Sequence, residues 1–161
     1  MRTRDIVWAF GLFLITPFSH AQSVPMRNVT VEHPWARATT AGTDTGVVYM
    51  TIINNGPASD VLVSVASPAS RVAQVHENKV DAQGMTEMLA LDRVEIPAHA
   101  RIDLKPTARH VMLIGLNQTL TYKSTFLMTL IFEKAGVVKV TVSVEKAGAM
   151  TSDSMGDMKM E

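Results

Sequence analysis

The chain has 161 residues, with fifteen basic and fifteen acidic side chains and a formal net charge of zero. This length suits one domain, and the balanced charge argues against a partner such as nucleic acid or an anionic membrane surface. The sequence contains no cysteine, which excludes disulfide bonds, thiolate metal ligands and a cysteine nucleophile.

The first 21 residues have the pattern of a secretory signal peptide. Arg2 and Arg4 form a basic start, residues 6–15 are mostly apolar, and residues 19–21 (Ser-His-Ala) place small side chains at the cleavage positions. The apolar run is too short to span a bilayer. No cysteine follows it, which excludes a lipid-modified N-terminus. We therefore expect an exported, periplasmic protein that begins at Gln22 and has no stable membrane insertion.

The residues after the leader predict an all-β domain, an antiparallel β-sandwich or barrel. β-branched and aromatic residues fill many short segments bounded by glycine, proline and asparagine turns, as in residues 47–53 before the turn at residues 54–57. Residues 126–133 and 137–145 predict a hairpin. No segment after the leader shows convincing helical periodicity.

The composition changes at residue 147, where the chain becomes small, polar and acidic. We therefore predict one domain over residues 22–146 and a disordered tail over residues 147–161. The tail is rich in methionine although a disordered segment has no core for methionine to fill. Its methionines are Met150, Met155, Met158 and Met160.

Two histidines and two methionines in the middle of the chain are candidate ligands of one soft metal ion. His110 and Met112 are two residues apart in an apolar run, so on a strand they share a face with Cα atoms about 6.6 Å apart. His76 and Met88 form an earlier pair. The alternative is that these are two buried histidines and two core methionines, and composition and spacing leave both interpretations open.

Thioether sulfur is soft and neutral, so these four side chains favour Cu(I) over Zn(II) or hard cations. The remaining candidates have simpler interpretations. Met50 and Met128 lie inside apolar segments and are predicted to fill the core. His33 is predicted at a strand edge and His99 in a solvated turn.

The spacing of these residues resembles the signature of the periplasmic copper chaperones called PCu(A)C, which is a His, an optional Met, ten residues, a Met, twenty-one residues and His-x-Met. Here Glu77 follows His76, ten residues precede Met88, and twenty-one residues separate Met88 from His110-Val111-Met112. The resemblance covers about residues 29–145. Further landmarks are Trp35-Ala36-Arg37-Ala38, Tyr49-Met50-Thr51-Ile52, Asn54-Asn55-Gly56, Leu104-Lys105-Pro106 and residues 129–136.

The resemblance implies a cupredoxin-like, immunoglobulin-like β-sandwich that binds Cu(I) at its surface through His76, Met88, His110 and Met112. It also implies delivery of copper to the cytochrome c oxidase subunit that carries CuA, directly or through a thiol-containing assembly factor. Some relatives hold a second copper ion with a C-terminal extension, so Met150, Met155, Met158 and Met160 are expected to assist as auxiliary ligands.

Two departures from the family pattern are visible. Glu77 replaces the optional methionine, so a fifth sulfur would come from elsewhere, for example from Met85. Residues 107–109 (Thr-Ala-Arg) stand where the family usually has a Gly-Gly-aromatic turn.

Other function classes fit the sequence less well. No serine-hydrolase elbow, zinc-protease motif or phosphate-binding loop is present. Blue-copper electron transfer requires a cysteine ligand, and a copper oxygenase with an N-terminal histidine would require cleavage just before His20. A periplasmic copper buffering or resistance protein without a dedicated acceptor remains the main alternative, and a metal-free interaction module is the third class.

Overall fold

The computed structural model describes residues 28–152, and these residues form ten strands and no helix. No helix in this part of the chain could therefore cross a membrane. The all-β prediction is confirmed. The strands are β1 (Val29–Arg37), β2 (Thr45–Asn54), β3 (Asp60–Ala66), β4 (Ser70–Val80), β5 (Thr86–Leu91), β6 (Val94–Ile96), β7 (Arg101–Leu104), β8 (Arg109–Leu116), β9 (Thr125–Phe132) and β10 (Gly136–Glu145).

The strands form one hydrogen-bonded ladder in the order β5-β4-β8-β2-β1-β10-β9-β3-β6, and β7 pairs with β2 beside β8. The predicted hairpin is present as β9 and β10. Neighbouring strands pair antiparallel except β1 and β10, which run parallel through Trp35 and Ser143. These two strands lie at opposite ends of the chain, so no local turn fixes their relative direction and only the tertiary fold does.

The ladder curls so that its two ends meet around one core. β4 is second from one end and β3 second from the other, and the two strands contact each other. Burial of apolar surface inside this curl stabilises the fold. Met50 and Met128 are buried in that core, which confirms their predicted role. The largest side chains that are fully buried are Phe132, Ile52, Leu62, Ile96, Leu113, Leu120, Met128 and Leu130.

Two strands differ from the boundaries that the sequence predicts. The pattern predicts that β4 ends near His76, but the strand continues to Val80 because its pairing with β5 extends to Val80 and Thr86. In β1, the break predicted at Pro34 is a shift of register against β2, and the preceding His33 has a positive φ of 47°. A bulge of this kind accommodates proline, which has no amide proton to donate.

The first residues of the expected tail lie against the sheet. The Arg37 guanidinium donates from Nε to the Ala149 carbonyl oxygen at 2.9 Å and from Nη2 to the Met150 sulfur at 3.1 Å. Ser152 is buried. Residues 1–27, which include the predicted leader, and residues 153–161, with Met155, Met158 and Met160, lie outside the described residues.

Candidate metal centre

Four side chains that the sequence singles out share one face of the sheet. His76 on β4 stands directly opposite His110 on β8, and Met112 stands opposite Gln74, two residues further along. On the other side of β4, Met88 on β5 stands opposite Asn78. Because side chains alternate between the two faces of a strand, the four lie on the same face. We call His76, Met88, His110 and Met112 the histidine–methionine face.

The histidine–methionine face is the outer face of the sheet. The neighbouring residues Val75 and Val111 pair with each other and are buried in the core on the opposite face. Along the strands, Met88 and Met112 flank the histidine pair on opposite sides. A ligand that touched both imidazoles would therefore be approached by one sulfur from each side.

The two imidazoles are close enough to share a small ligand. Their ring centroids are 6.1 Å apart and their planes are inclined by 33°. Both ring nitrogens of His76 are shielded from solvent, and neither has a hydrogen-bond partner among the described residues. A buried polar atom without a partner costs free energy, about 1–3 kcal/mol. An electron-pair acceptor placed between the rings would remove that cost at the one ring nitrogen that carries the lone pair.

The electrostatics favour the neutral form of His76, the form that can donate an electron pair. Burial, which disfavours the charged imidazolium, lowers the pKa of His76 below its ordinary value, and repulsion from His110 lowers it further. Metal-binding histidine must be neutral. His76 therefore keeps its lone pair available at neutral pH.

The orientation of His110 is fixed by the loop before β8. Its Nδ1 lies 3.2 Å from the Ala108 carbonyl oxygen, which can only accept a hydrogen bond. In the neutral ring this contact favours the proton on Nδ1, which leaves the lone pair on Nε2. Such a carbonyl contact is typical of histidine ligands and holds both tautomer and ring direction. Thr107, just before Ala108, has a positive φ of 70°, which is strained for a β-branched residue.

The two methionines differ in accessibility. Met112 is half-buried, whereas 48% of Met88 is exposed. Met85, the auxiliary candidate, lies in the turn before β5 and is 66% exposed. Among residues 28–152, no hydrogen bond joins Met85 to His76 or His110. His33 lies within β1 at the bulge. His99 lies exposed in a turn, as the sequence predicts.

An ion pair borders the histidine pair along the same two strands. Glu77 stands opposite Arg109 in the register, and Arg109 Nε donates to Glu77 Oε1 at 2.7 Å. This hydrogen bond lowers the pKa of Glu77 below its ordinary value, although partial burial opposes the shift. Glu77 directly follows His76 and Arg109 directly precedes His110. Their pairing therefore supports the register that sets His76 opposite His110.

Sequence reasoning did not assign a site role to two aromatic residues beside His110. Tyr49 on β2 lies with its ring centroid 6.4 Å from that of His110, and Trp35 on β1 lies 4.6 Å from Tyr49. Arg37 stacks over the same tyrosine ring. The two aromatic rings lie on the side of His110 that faces β2 and β1. Both residues belong to the landmarks of the family resemblance, but only the strand order places them beside His110.

The donor set of this face is unusual in lacking carboxylates. The described residues contain no group of three or more histidine, cysteine, aspartate or glutamate side chains that could hold a metal ion. A metal held by the histidine pair can complete its coordination with thioether sulfur, an amide or backbone oxygen, or water. The same face carries the sulfurs of Met88 and Met112 and the amide side chains of Gln74 and Asn78, and the two imidazoles with the two sulfurs suit a soft ion.

Strand order and the histidine–methionine face thus define a small all-β domain with soft donors gathered at its surface. Residues 29–144 match the family model described as "Putative lipoprotein LpqE-like". The chain belongs to this family, which comprises PCuAC copper-chaperone domains with a cupredoxin-like β-sandwich fold. The resemblance noted in the sequence is confirmed.

Solved structures and a curated relative agree with this assignment. The copper-bound PCuAC domain from PmoF2 is 30% identical, with 74% of this chain and 93% of that chain covered and a TM-score of 0.63. The Cu(I) form of DR1885 from Deinococcus radiodurans is 25% identical over 80% of this chain and 83% of its own, with a TM-score of 0.56. The putative lipoprotein Lxx21020 of Leifsonia xyli is 28% identical over 73% of this chain and 69% of its own.

Proposed function

We propose that this protein binds one Cu(I) ion through His76, His110, Met88 and Met112 and passes it to an acceptor protein. The observation that carries the proposal is the histidine pair. The two shielded nitrogens of His76 have no hydrogen-bond partner among residues 28–152, and the free Nε2 of His110 belongs to the facing ring. A neutral imidazole has one lone pair, so a metal ion between the rings can take one lone pair from each histidine.

The ligand chemistry selects the oxidation state. Two imidazoles and two thioethers are all neutral, and the thioethers are soft, so the set prefers Cu(I) to Zn(II) and to hard cations. A d¹⁰ Cu(I) ion accepts a tetrahedral arrangement. Because no thiolate contributes, the ion is held without a strong charge attraction and can be exchanged to a partner that offers thiolates.

The names of two relatives support the same cargo. The PmoF2 domain was solved in a copper-bound form and DR1885 in a Cu(I) form, and both share the fold of this chain. Neither name identifies an acceptor. The role in transfer therefore rests on the exposure of Met88, which leaves one side of the site open to a second protein.

We further propose that the protein acts in the periplasm and supplies the CuA centre of cytochrome c oxidase, with or without a thiol-containing assembly factor. The signal-peptide pattern of residues 1–21 supports export. The family and the Leifsonia relative carry the word lipoprotein in their names, which also points to export. The sequence contains no cysteine.

An anaerobic titration tests Cu(I) binding directly. The purified chain competes with a chromogenic Cu(I) chelator, and X-ray absorption of the loaded protein reports the ligand types. We expect one ion per chain with mixed sulfur and nitrogen neighbours. Binding that is unchanged in His110→Ala and Met112→Ala variants, or a site with oxygen ligands alone, would contradict the proposal.

A deletion strain separates delivery from buffering. Delivery predicts that loss of the protein lowers oxidase activity and that added copper restores it. Normal oxidase activity together with increased copper sensitivity would instead assign the protein to copper buffering. The His110→Ala variant, returned to the deletion strain, serves as the control for effects that do not require the copper site.

A further inference from the structure

The outermost strand beside the proposed copper site has an unpaired backbone edge. β5 ends the ladder, and within residues 28–152 it pairs only with β4. The pairing is continuous, with six facing pairs from Val75–Leu91 to Val80–Thr86 and no register shift. One edge of this strand therefore presents amide and carbonyl groups that no other strand uses.

This edge lacks the features that usually protect exposed strands. Natural proteins shield edge strands with proline, lysine, bulges or very short length. β5 has the sequence Thr-Glu-Met-Leu-Ala-Leu over six residues, with Glu87 as its one charged side chain and no proline. The strand at the other end of the ladder, β6, has three residues and is followed by Pro97. The β6 end of the ladder is therefore protected by its short length and a proline, whereas the β5 end is not.

The unprotected edge also carries a proposed copper ligand. Met88 lies in the middle of β5 and is 48% exposed, and Val80 and Met85 add exposed apolar surface at the same hairpin tip. A chain that pairs with this edge would place one side chain directly beside Met88 on the same face, with Cβ atoms about 4.5–5.5 Å apart. This distance lets an incoming ligand reach the ion that Met88 holds.

From these features we infer that the copper acceptor docks by adding a strand to β5, with a cysteine thiol of that strand beside Met88. Strand addition of this kind takes its affinity from main-chain hydrogen bonds and its specificity from alternate side chains. The inference rests on the proposed copper-transfer function and specifies how the acceptor is recognised. It requires an extended, thiol-bearing segment and no particular acceptor fold.

The exchange step is a ligand substitution that changes no oxidation state and needs no redox partner. The acceptor thiol loses its proton to water, the copper–thiolate bond forms, and the bond from copper to the Met88 sulfur breaks. Copper remains Cu(I) throughout. The thiolate is the stronger ligand for a soft ion, so the exchange runs towards the acceptor. His76, His110 and Met112 hold the ion until further acceptor ligands replace them.

A peptide acceptor tests the docking mode with the full chain. The probe is an acetylated, amidated nonapeptide of alternating threonine and valine with one central cysteine. Its matched control has the same sequence with alternate backbone nitrogens methylated, which keeps the thiol but removes strand pairing. Stopped-flow spectroscopy measures Cu(I) transfer to each. We expect transfer to the unmodified peptide to be at least tenfold faster, and equal rates would overturn the inference.

Proline substitutions test the edge from the side of the protein. Along an edge strand, amides bonded to the neighbouring strand alternate with amides that point outwards and are unpaired. Of the variants Leu89→Pro and Ala90→Pro, one therefore removes an amide bonded to β4 and the other removes an unpaired amide. The variant that retains Cu(I) affinity is the informative one. It should lose at least tenfold in transfer to the strand-forming peptide and retain the parent rate of transfer to free cysteine.

Each result supports or overturns the inference. An informative proline variant that transfers to the peptide at the parent rate overturns it. If both variants lose Cu(I), the two peptides on the parent chain decide alone. Concentration-dependent dimerisation that proline abolishes, without faster transfer to the peptide, assigns the edge to a second copy. A parent chain that binds no Cu(I) overturns the proposed function as well, whereas equal peptide rates overturn the docking mode alone.

Discussion

Strands β8 and β5 both contribute to the histidine–methionine face, but their surroundings differ. β8 pairs on both sides, with β4 and β2, and anchors itself in the core through Val111 and Leu113. β5 pairs on one side and is largely exposed. The β8 side therefore holds the proposed ligands His110 and Met112 in a fixed geometry, while the β5 side leaves the proposed ligand Met88 accessible. Under the proposed transfer function, we expect affinity to depend mainly on β8 and exchange mainly on β5.

The largest expected effect is that of His110→Ala. Removing a contact that only orients a histidine ligand typically weakens metal binding 10–100-fold, so removal of the ligand itself should weaken Cu(I) binding by at least about 100-fold. Chelator competition measures the loss. His99→Ala, which changes an exposed histidine in a turn, is the control and should leave affinity unchanged. A smaller effect for His110 than for Met88 would reverse the comparison between the strands.

Met112→Leu should have the next largest effect. Leucine has nearly the same volume, so the change removes the sulfur with a stability cost of less than about 1.5 kcal/mol. We expect a Cu(I) affinity roughly tenfold or more below that of the parent, measured by the same competition. Met128→Leu in the core is the matched control, since it makes the same chemical change away from the site. Equal losses in both variants would indicate a general effect of packing.

Met88→Leu should lower affinity less than Met112→Leu does and should accelerate release. Met88 is 48% exposed, so water can take the place of its sulfur on the ion, and we expect a loss of about threefold to tenfold together with faster transfer of Cu(I) to free cysteine in stopped-flow experiments. Met85→Leu is the control on the same hairpin. If Met85→Leu produces the same loss, Met85 belongs to the ligand set and the auxiliary role expected from the sequence is supported.

Thr107→Gly should have the smallest effect, and it acts on stability. A residue other than glycine in the left-handed region costs about 1–2 kcal/mol, and glycine recovers part of that at the price of unfolded-state entropy. We expect the free energy of unfolding in urea to rise by about 0.5–1 kcal/mol. Ala108→Gly, whose backbone needs no positive φ, should lower it. A drop in stability for Thr107→Gly would show that the threonine side chain contributes contacts that offset the strain.

Part of the geometry of the candidate site could be predicted from the sequence. His110 and Met112 could be placed on one face because strand alternation is a local rule, and their surroundings are apolar on either side. The pairing of His76 with His110 was not accessible in the same way. It depends on the register between β4 and β8, which are separated by three strands in the chain. Family spacing predicts that these residues act together, and the register places the two histidines opposite each other.

The limits of strand prediction had specific causes. β4 runs four residues beyond His76, to Val80, because its pairing with β5 extends as far as Val80 and Thr86. The parallel pairing of β1 with β10 joins the two ends of the domain, and nothing local distinguishes it from antiparallel pairing. Tyr49 and Trp35 could be recognised as family landmarks, yet their position beside His110 follows from the order β8-β2-β1.

The sequence by itself determined the all-β class, the soft and cysteine-free donor set, and the identity of the four residues proposed as ligands. These depend on residue type and on local periodicity, both of which can be read along the chain. The tertiary structure decided that the two histidines face each other, that Met88 lies on an unpaired edge and that Met112 lies in a doubly paired strand. Those properties depend on which distant strands hydrogen-bond to one another, because register and burial arise only when the sheet is assembled.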